Sequence, residues 1–187
     1  MARPVEYDKQ NVLLSAMRTF WEKGYEGTSV SDLLAATGLT SRSMYNIFGS
    51  KNGLFKEALE TYYSRGVKDA FAELKDGQGT GAVRQYLRRM TTGEPVNGCL
   101  FVNTLSEKNL VEPDCLKMVT DYFAEVEGTF KEKLTWAKAQ GDFEGNPGLR
   151  ARQLVLMLQG TAQYIKTGVS LDEMKESIDD LLDLLKV

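Results

Sequence analysis

Apolar residues recur along most of this chain at three- and four-residue spacing, the period of one buried helix face, and no stretch alternates with the period of two that a half-buried strand needs. Leu13, Ala16, Met17, Phe20 and Trp21 form such a stripe over residues 9–23, opened by Asp8 as N-cap and closed by Gly24. A short second helix is expected from Val30. Ser29 with Asp32 three residues on fits a capping box, Val30, Leu33, Leu34 and Thr37 share a face, and Gly38 supplies the positive φ that ends the helix. Thr40 caps a third helix, from Ser41 to about Phe48, with Met44 and Ile47 or Phe48 inward and Ser41, Arg42, Ser43, Tyr45 and Asn46 outward. From Ser50-Lys51 a connecting helix is expected to run over 51–74, striped by Leu54, Phe55, Ala58, Leu59, Tyr62, Tyr63, Val67, Phe71 and Leu74.

Residues 75–81, KDGQGTG, read as the clearest linker. Helices are then expected over 82–90 and 98–105, with a break at 91–97 around Pro95, and over 113–140, 147–167 and 171–186. Pro113 suits a first turn and Gly141 a stop, Asn146-Pro147 makes an N-cap and N1 pair, and Ser170 with Glu173 makes a capping box. The prediction is an all-α fold of about nine helices. Three form an N-terminal head (1–50), and the connecting helix and five more belong to a C-terminal unit (51–187).

The head carries a helix, a tight turn and a second helix whose outward groups are hydroxyls, an amide and one Arg, the groups that reach phosphates and base edges. This reads as a helix-turn-helix whose second helix enters the major groove, with a phosphate clamp where the Ser50 hydroxyl, free helix amides and the Lys51 charge coincide. Arg3, Lys9 and the preceding tail are further candidates for phosphate or the minor groove. Charge is distributed to match: residues 1–56 hold seven Lys or Arg against five Asp or Glu, and residues 57–187 hold sixteen against twenty-one, within a chain of 187 residues and net charge −3. The chain has no histidine, which removes the commonest general base and zinc ligand, so an enzyme is not expected, nor a metal or other cofactor. The competing class is an all-helical enzyme or protein-interaction module whose N-terminal helices only mimic a DNA reader, and a shift assay with random and genomic DNA separates the two. No apolar run suggests a signal peptide or a membrane span, so a cytoplasmic protein is expected.

Residues 8–60 resemble the N-terminal domain of the TetR family of bacterial transcriptional repressors. The likeness runs through SAMRTFWEKGYEGTSV and DLLAATGLTSRSMYNIFGSKNGLF, in place of the family's usual I-A-x-x-A-G-V-S-x-G-x-L-Y-x-H-F-x-S-K-x-x-L. Arg42 stands where Gly or a small residue is common, and Ile47 where the family often has His or an aromatic phosphate contact. The resemblance implies a repressor that binds a double-stranded, near-palindromic operator as a homodimer. The expected DNA contacts are Thr28, Ser29, Thr40, Ser41, Arg42, Ser43, Tyr45, Asn46, Phe48 and Lys51. It also implies a four-helix dimer interface from the last two helices, for which Leu154, Val155, Leu158, Ala162, Leu181, Leu182 and Leu185 are candidates, with intramolecular core as the alternative.

Tyr86, Met90, Cys99, Phe101, Phe123, Trp136, Met157 and Tyr164 are candidates for a pocket that takes a small apolar effector, or else they are core. NGCLFVNTLSE resembles the Gly-Cys-Leu segment of a TetR subgroup that includes repressors of electrophile and oxidant detoxification genes, in which the matching cysteine is the sensor. On that resemblance Cys99 is a candidate for modification by an electrophilic effector, assisted by Lys166 and by a helix start, with Cys115 able to resolve a sulfenic acid as a disulfide. The alternative is a buried cysteine acting as a small hydrophobe.

Overall fold

A computed structural model describes residues 7–91 and 97–187. The expected break around Pro95 and the contacts suggested for Arg3 lie outside these residues. The helices are α1 (Lys9–Lys23), α2 (Val30–Thr37), α3 (Ser41–Phe48), α4 (Lys51–Tyr62), α5 (Lys68–Asp76), α6 (Gly79–Thr91), α7 (Leu100–Ser106), α8 (Pro113–Gln140), α9 (Pro147–Tyr164) and α10 (Leu171–Leu184), and no strand occurs among the described residues. The all-α prediction holds, and α4 and α5 together are the connecting helix.

Each head helix begins on a side chain written beside it. Asp8 accepts the N–H groups of Gln10 (2.9 Å) and Asn11 (3.4 Å), and the Asn11 amide donates back to Asp8 (2.8 Å), so Asn11 contributes to the cap in place of a Glu. Ser29 and Asp32 close the expected capping box, Thr40 accepts from the Ser43 N–H at 3.1 Å, and Ser50 accepts from the Gly53 N–H at 3.0 Å. Beneath these caps, Ala16, Phe20, Leu33, Met44, Leu54 and Phe55 are buried, with Phe20 and Phe55 edge-on at 4.8 Å.

The connecting helix is not uniform. A π-helical turn, Tyr63–Val67, joins α4 to α5. The buried stripe passes from Tyr62 to Val67, five residues on, a step that would turn an uninterrupted α-helix away from its core, and the wider turn absorbs the surplus residue. The expected linker at 75–81 is corrected to two residues, Gly77 and Gln78, between α5 and α6. The segment is held rather than loose because Lys133, buried on α8, donates to the Lys75 carbonyl at 2.6 Å and satisfies the end of α5. α7 starts at Leu100, two residues after the expected start, because Cys99 is extended (φ −106°, ψ 125°) and serves as its N-cap position. In the body α8 and α9 pack along each other, with Val119, Val126, Phe130, Leu134, Ala151 and Leu154 fully buried.

Candidate functional site

The outer face of α3 presents Ser41, Arg42, Tyr45 and Asn46 to solvent, while Met44 and Phe48 anchor its inner face. Among the described residues Arg42 has no ion-pair partner, so its guanidinium is free for a ligand. Thr40 is exposed at the start of the helix and shares a hydrogen bond with the half-buried Ser43 hydroxyl at 2.9 Å, orienting both oxygens toward the N-terminal end of α3. The head therefore offers one short helix with a polar, uncommitted face on a fully packed support.

A cavity of about 200 Å³ lies in the body next to the head. Its wall combines Trp21 from α1, Tyr62 from α4, Gly66 from the π turn, Met90, Cys99, Val102, Phe123, and Leu158, Ala162 and Ile165 from the last part of the body. The lining is mostly apolar, and its one charged group, Arg89, is ion-paired with Glu73. The Tyr62 hydroxyl donates to Cys99 Sγ at 3.3 Å, and burial holds that phenol well above its ordinary pKa, so it stays a donor at neutral pH. Burial also pushes the Cys99 thiol up, against the opposing pull of the Tyr62 hydrogen bond and the more distant Lys166 charge. Cys99 is thus a neutral thiol in this packing. Tyr122, itself in the wall, shares a buried hydroxyl–hydroxyl hydrogen bond with Tyr86 behind it. Gly98, at φ +70°, lets the end of α9 ride directly on the chain ahead of α7: a Cβ there would lie 2.2 Å from the Ala162 carbonyl oxygen. On the head side, the Trp21 indole donates to the Gly98 carbonyl at 3.0 Å.

Residues 12–58 match the family model for bacterial regulatory proteins of the tetR family. An uncharacterized HTH-type transcriptional regulator of Bacillus subtilis (strain 168), YezE, is 28% identical over 196 residues, covering 99% of this chain and 100% of that protein. The HTH-type transcriptional repressor ComR of Escherichia coli (strain K12) is 27% identical over 182 residues, covering 93% of this chain and 87% of that repressor. Among solved structures, a cysteine mutant of the TetR family transcriptional regulator CifR, complexed with 26-bp double-strand operator DNA, superimposes with a TM-score of 0.81 at 26% identity, covering 97% of this chain and 98% of that one. The head of this chain therefore matches the TetR family's N-terminal domain, and the chain as a whole is similar to TetR family regulators.

In the structure, several expected site residues move. Thr28 is corrected to a structural residue: it is fully buried and its hydroxyl donates to the Gly24 carbonyl at 2.6 Å, leaving nothing for DNA. Phe48 is likewise corrected, since its ring is buried in the head core. Ser29 is exposed, but its hydroxyl is engaged with Asp32 at 2.6 Å. At the expected clamp, Ser50 is in place as a cap, whereas the Lys51 ammonium sits 4.3 Å from the centre of the Tyr25 ring, and partial burial lowers its pKa.

Of the eight pocket candidates, the cavity brings together Met90, Cys99 and Phe123. Tyr86 and Phe101 are buried outside the cavity lining, and Met157 is partly buried on α9 without reaching it. Trp136, 43% exposed near the far end of α8, and Tyr164, 58% exposed, face solvent and are corrected out of the pocket.

The sensor group is only partly assembled. The Lys166 ammonium donates to Asn103 Oδ1 rather than to the sulfur. Cys115 approaches Asn52 Oδ1 at 3.6 Å, whereas Cys99 meets Tyr62, ten residues further along α4, so the groups they touch are rooted about 15 Å apart on that helix axis. Both cysteines are free thiols and touch different parts of α4, and a disulfide between them needs Cα atoms within roughly 7 Å. Of the expected interface residues, Leu154, Val155, Leu158 and Leu182 are buried within the chain, Ala162, Leu181 and Leu185 are half-buried, and α9 also exposes Leu149, Leu156 and Tyr164, with Leu184 exposed on α10. Sequence reasoning missed Trp21, Tyr62 and Ile165 as cavity residues, because each lies on a helical stripe indistinguishable from core until the helices are packed.

Proposed function

We propose that this chain is a dimeric TetR-type repressor that reads a near-palindromic operator through α3 and leaves it when the body cavity is occupied. The observation that carries the reading is the exposed polar face of α3, with Arg42 unpaired among the described residues, on a head that matches the family model over residues 12–58. The CifR likeness, to a regulator bound to operator DNA, supports the same mode of action. In the division we favour, residues 1–50 are the reading head and 51–187 the effector and dimerisation unit, in a cytoplasmic protein without catalytic chemistry. Ser41, Arg42 and Asn46 lie nearest the bases, with Thr40, Ser43 and Tyr45 on the backbone. One two-turn helix contacts too few base pairs to select a site alone, so symmetry doubles the reading. The solvent-facing Leu149, Leu156, Tyr164 and Leu184 supply an apolar dimer face in place of the buried leucines. No helix among the described residues is long and apolar enough to cross a membrane.

Selection of bound genomic fragments, followed by sedimentation of the protein with the selected site, tests the reading. The expected result is one near-palindromic sequence bound by a dimer, and a monomer binding with undiminished specificity overturns it.

Induction has two readings. The mostly apolar lining favours a reversible small apolar ligand. The place of Cys99 in that wall carries the second reading, modification of its sulfur, which would add bulk inside the cavity but has to overcome the burial that keeps the thiol neutral. Operator release by N-ethylmaleimide or hypochlorite in wild type but not in Cys99→Ser supports the second, and release that is unchanged in the variant returns induction to a reversible ligand.

A further inference from the structure

Glu107, the residue that follows α7, reaches across to the head. Its Oε2 accepts the backbone N–H of Tyr25 at 2.8 Å and its Oε1 that of Glu26 at 2.9 Å. One carboxylate group therefore holds two successive amides of the turn between α1 and α2. The approach is close enough that a Cβ on Gly24, at φ +76°, would lie 2.9 Å from Oε1. Lys51, at the start of α4, and Lys166 both feel the Glu107 charge. The Tyr25 ring is fixed as well, 4.8 Å from Phe55 and beneath the Lys51 ammonium. At its other end the same short helix borders the cavity through Gly98, Cys99 and Val102, and Gly98 receives the Trp21 indole. Leu100–Ser106 is thus a bar about 10 Å long with one end in the cavity wall and the other on the head.

We propose that Glu107 is a positioning residue for the reading head, and that α7 carries the effector signal from the cavity to the head through this carboxylate. The inference rests on the repressor reading. A helix this short moves as a unit, so an occupant pressing on Gly98–Val102 displaces its far end, and a hydrogen bond weakens steeply once distance or angle leaves its narrow range.

The test uses the full chain as wild type, Glu107→Ala and Glu107→Gln, and reads amide hydrogen exchange at Tyr25 and Glu26 beside affinity for the selected operator and for random DNA. Glu107→Ala is expected to speed exchange at those two amides about tenfold or more and to weaken operator binding about tenfold, leaving random-DNA binding within about threefold. Glu107→Gln keeps one acceptor oxygen and is expected to recover part of both effects. Ala162→Phe, an overfilled cavity standing in for an effector, is expected to loosen the same two amides in wild type and to add nothing in the Glu107→Ala background. Unchanged exchange in Glu107→Ala overturns the proposal, as does faster exchange with operator affinity intact. Should wild type select no operator, the repressor reading fails, and exchange at the two amides alone decides whether Glu107 fixes the turn.

Discussion

The head and the body of this protein are stabilised by different kinds of information. In the head every helix starts on a side-chain cap supplied by the residue just before it: Asp8, Ser29, Thr40 and Ser50. In the body α9 and α10 carry such caps, from Asn146 and Ser170, while α5, α7 and α8 start without one, and more of the structure is held by groups far apart in sequence. Aromatic rings run from Trp21 through Tyr62 and Phe101 to Tyr122, with successive centroids 5.3, 5.2 and 5.1 Å apart. A unit built from local caps closes tightly, whereas one built from long-range packing can leave space inside. Here the space lies against the ring at the head's edge, which suits a reader that keeps its shape and a body that changes.

The largest test of this contrast is Leu33→Ala, a fully buried deletion in the head. It is expected to cost about 2–5 kcal/mol and to melt the head ahead of the body, as seen by thermal unfolding followed by circular dichroism. Next, Arg42→Ala is expected to lose about 1–3 kcal/mol of operator binding and to relax sequence preference, measured by titration of operator variants. Lys51→Ala, whose ammonium lies on Tyr25 rather than free in solvent, is expected to change the salt slope by less than one charge. In the body, Ala162→Val extends into empty volume and is expected to raise stability by about 0.5 kcal/mol, whereas a loss above about 1 kcal/mol in chemical denaturation would show the wall to be already full.

The smallest effect is on pH dependence. Burial pushes the Cys115 thiol up to about 11, so the fold favours its protonated form. The contribution is whole below the ordinary thiol range near 9 and fades as pH rises toward 11, and Cys115→Ala is expected to flatten that part of the stability profile. In the opposite direction, hydrogen bonds from Lys23 and Ser29 hold Asp32 below the usual carboxylate range, so its share of the α2 cap is lost only as acid protonates it.

The same division explains what could be read without coordinates. Asp8, Ser29, Thr40 and Gly38 act over three or four residues, so the first three helices follow from the chain alone, and Pro113 with Gly141 bounds α8 correctly. Lys75–Gly81 misled because glycine content signals freedom only where nothing else takes the backbone groups, and Lys133 does so from 58 residues away. Thr28 misled in another way: its hydroxyl suits a phosphate as well as it suits the Gly24 carbonyl, and only the burial of the turn decides between them. Glu107 carries no signal in the sequence because its partners are backbone amides more than 80 residues earlier.

The π turn at Tyr63–Val67 also bears on how such a chain can change over generations. Each residue in an α-helix advances the direction of a side chain by about 100°. The head is joined to the body by one helical rod, and the five-residue step from Tyr62 to Val67 carries a surplus position that keeps both buried stripes pointing inward. Losing one residue between them would restore an ordinary helix and leave that inward phase reachable from a shorter rod, drawing the two units closer along the axis. Losing one elsewhere in the rod has no such reserve and would turn α3 about 100° relative to the cavity. A one-residue deletion is therefore expected to be tolerated at residues 63–67 and penalised on either side, like a gear train with a single spare tooth.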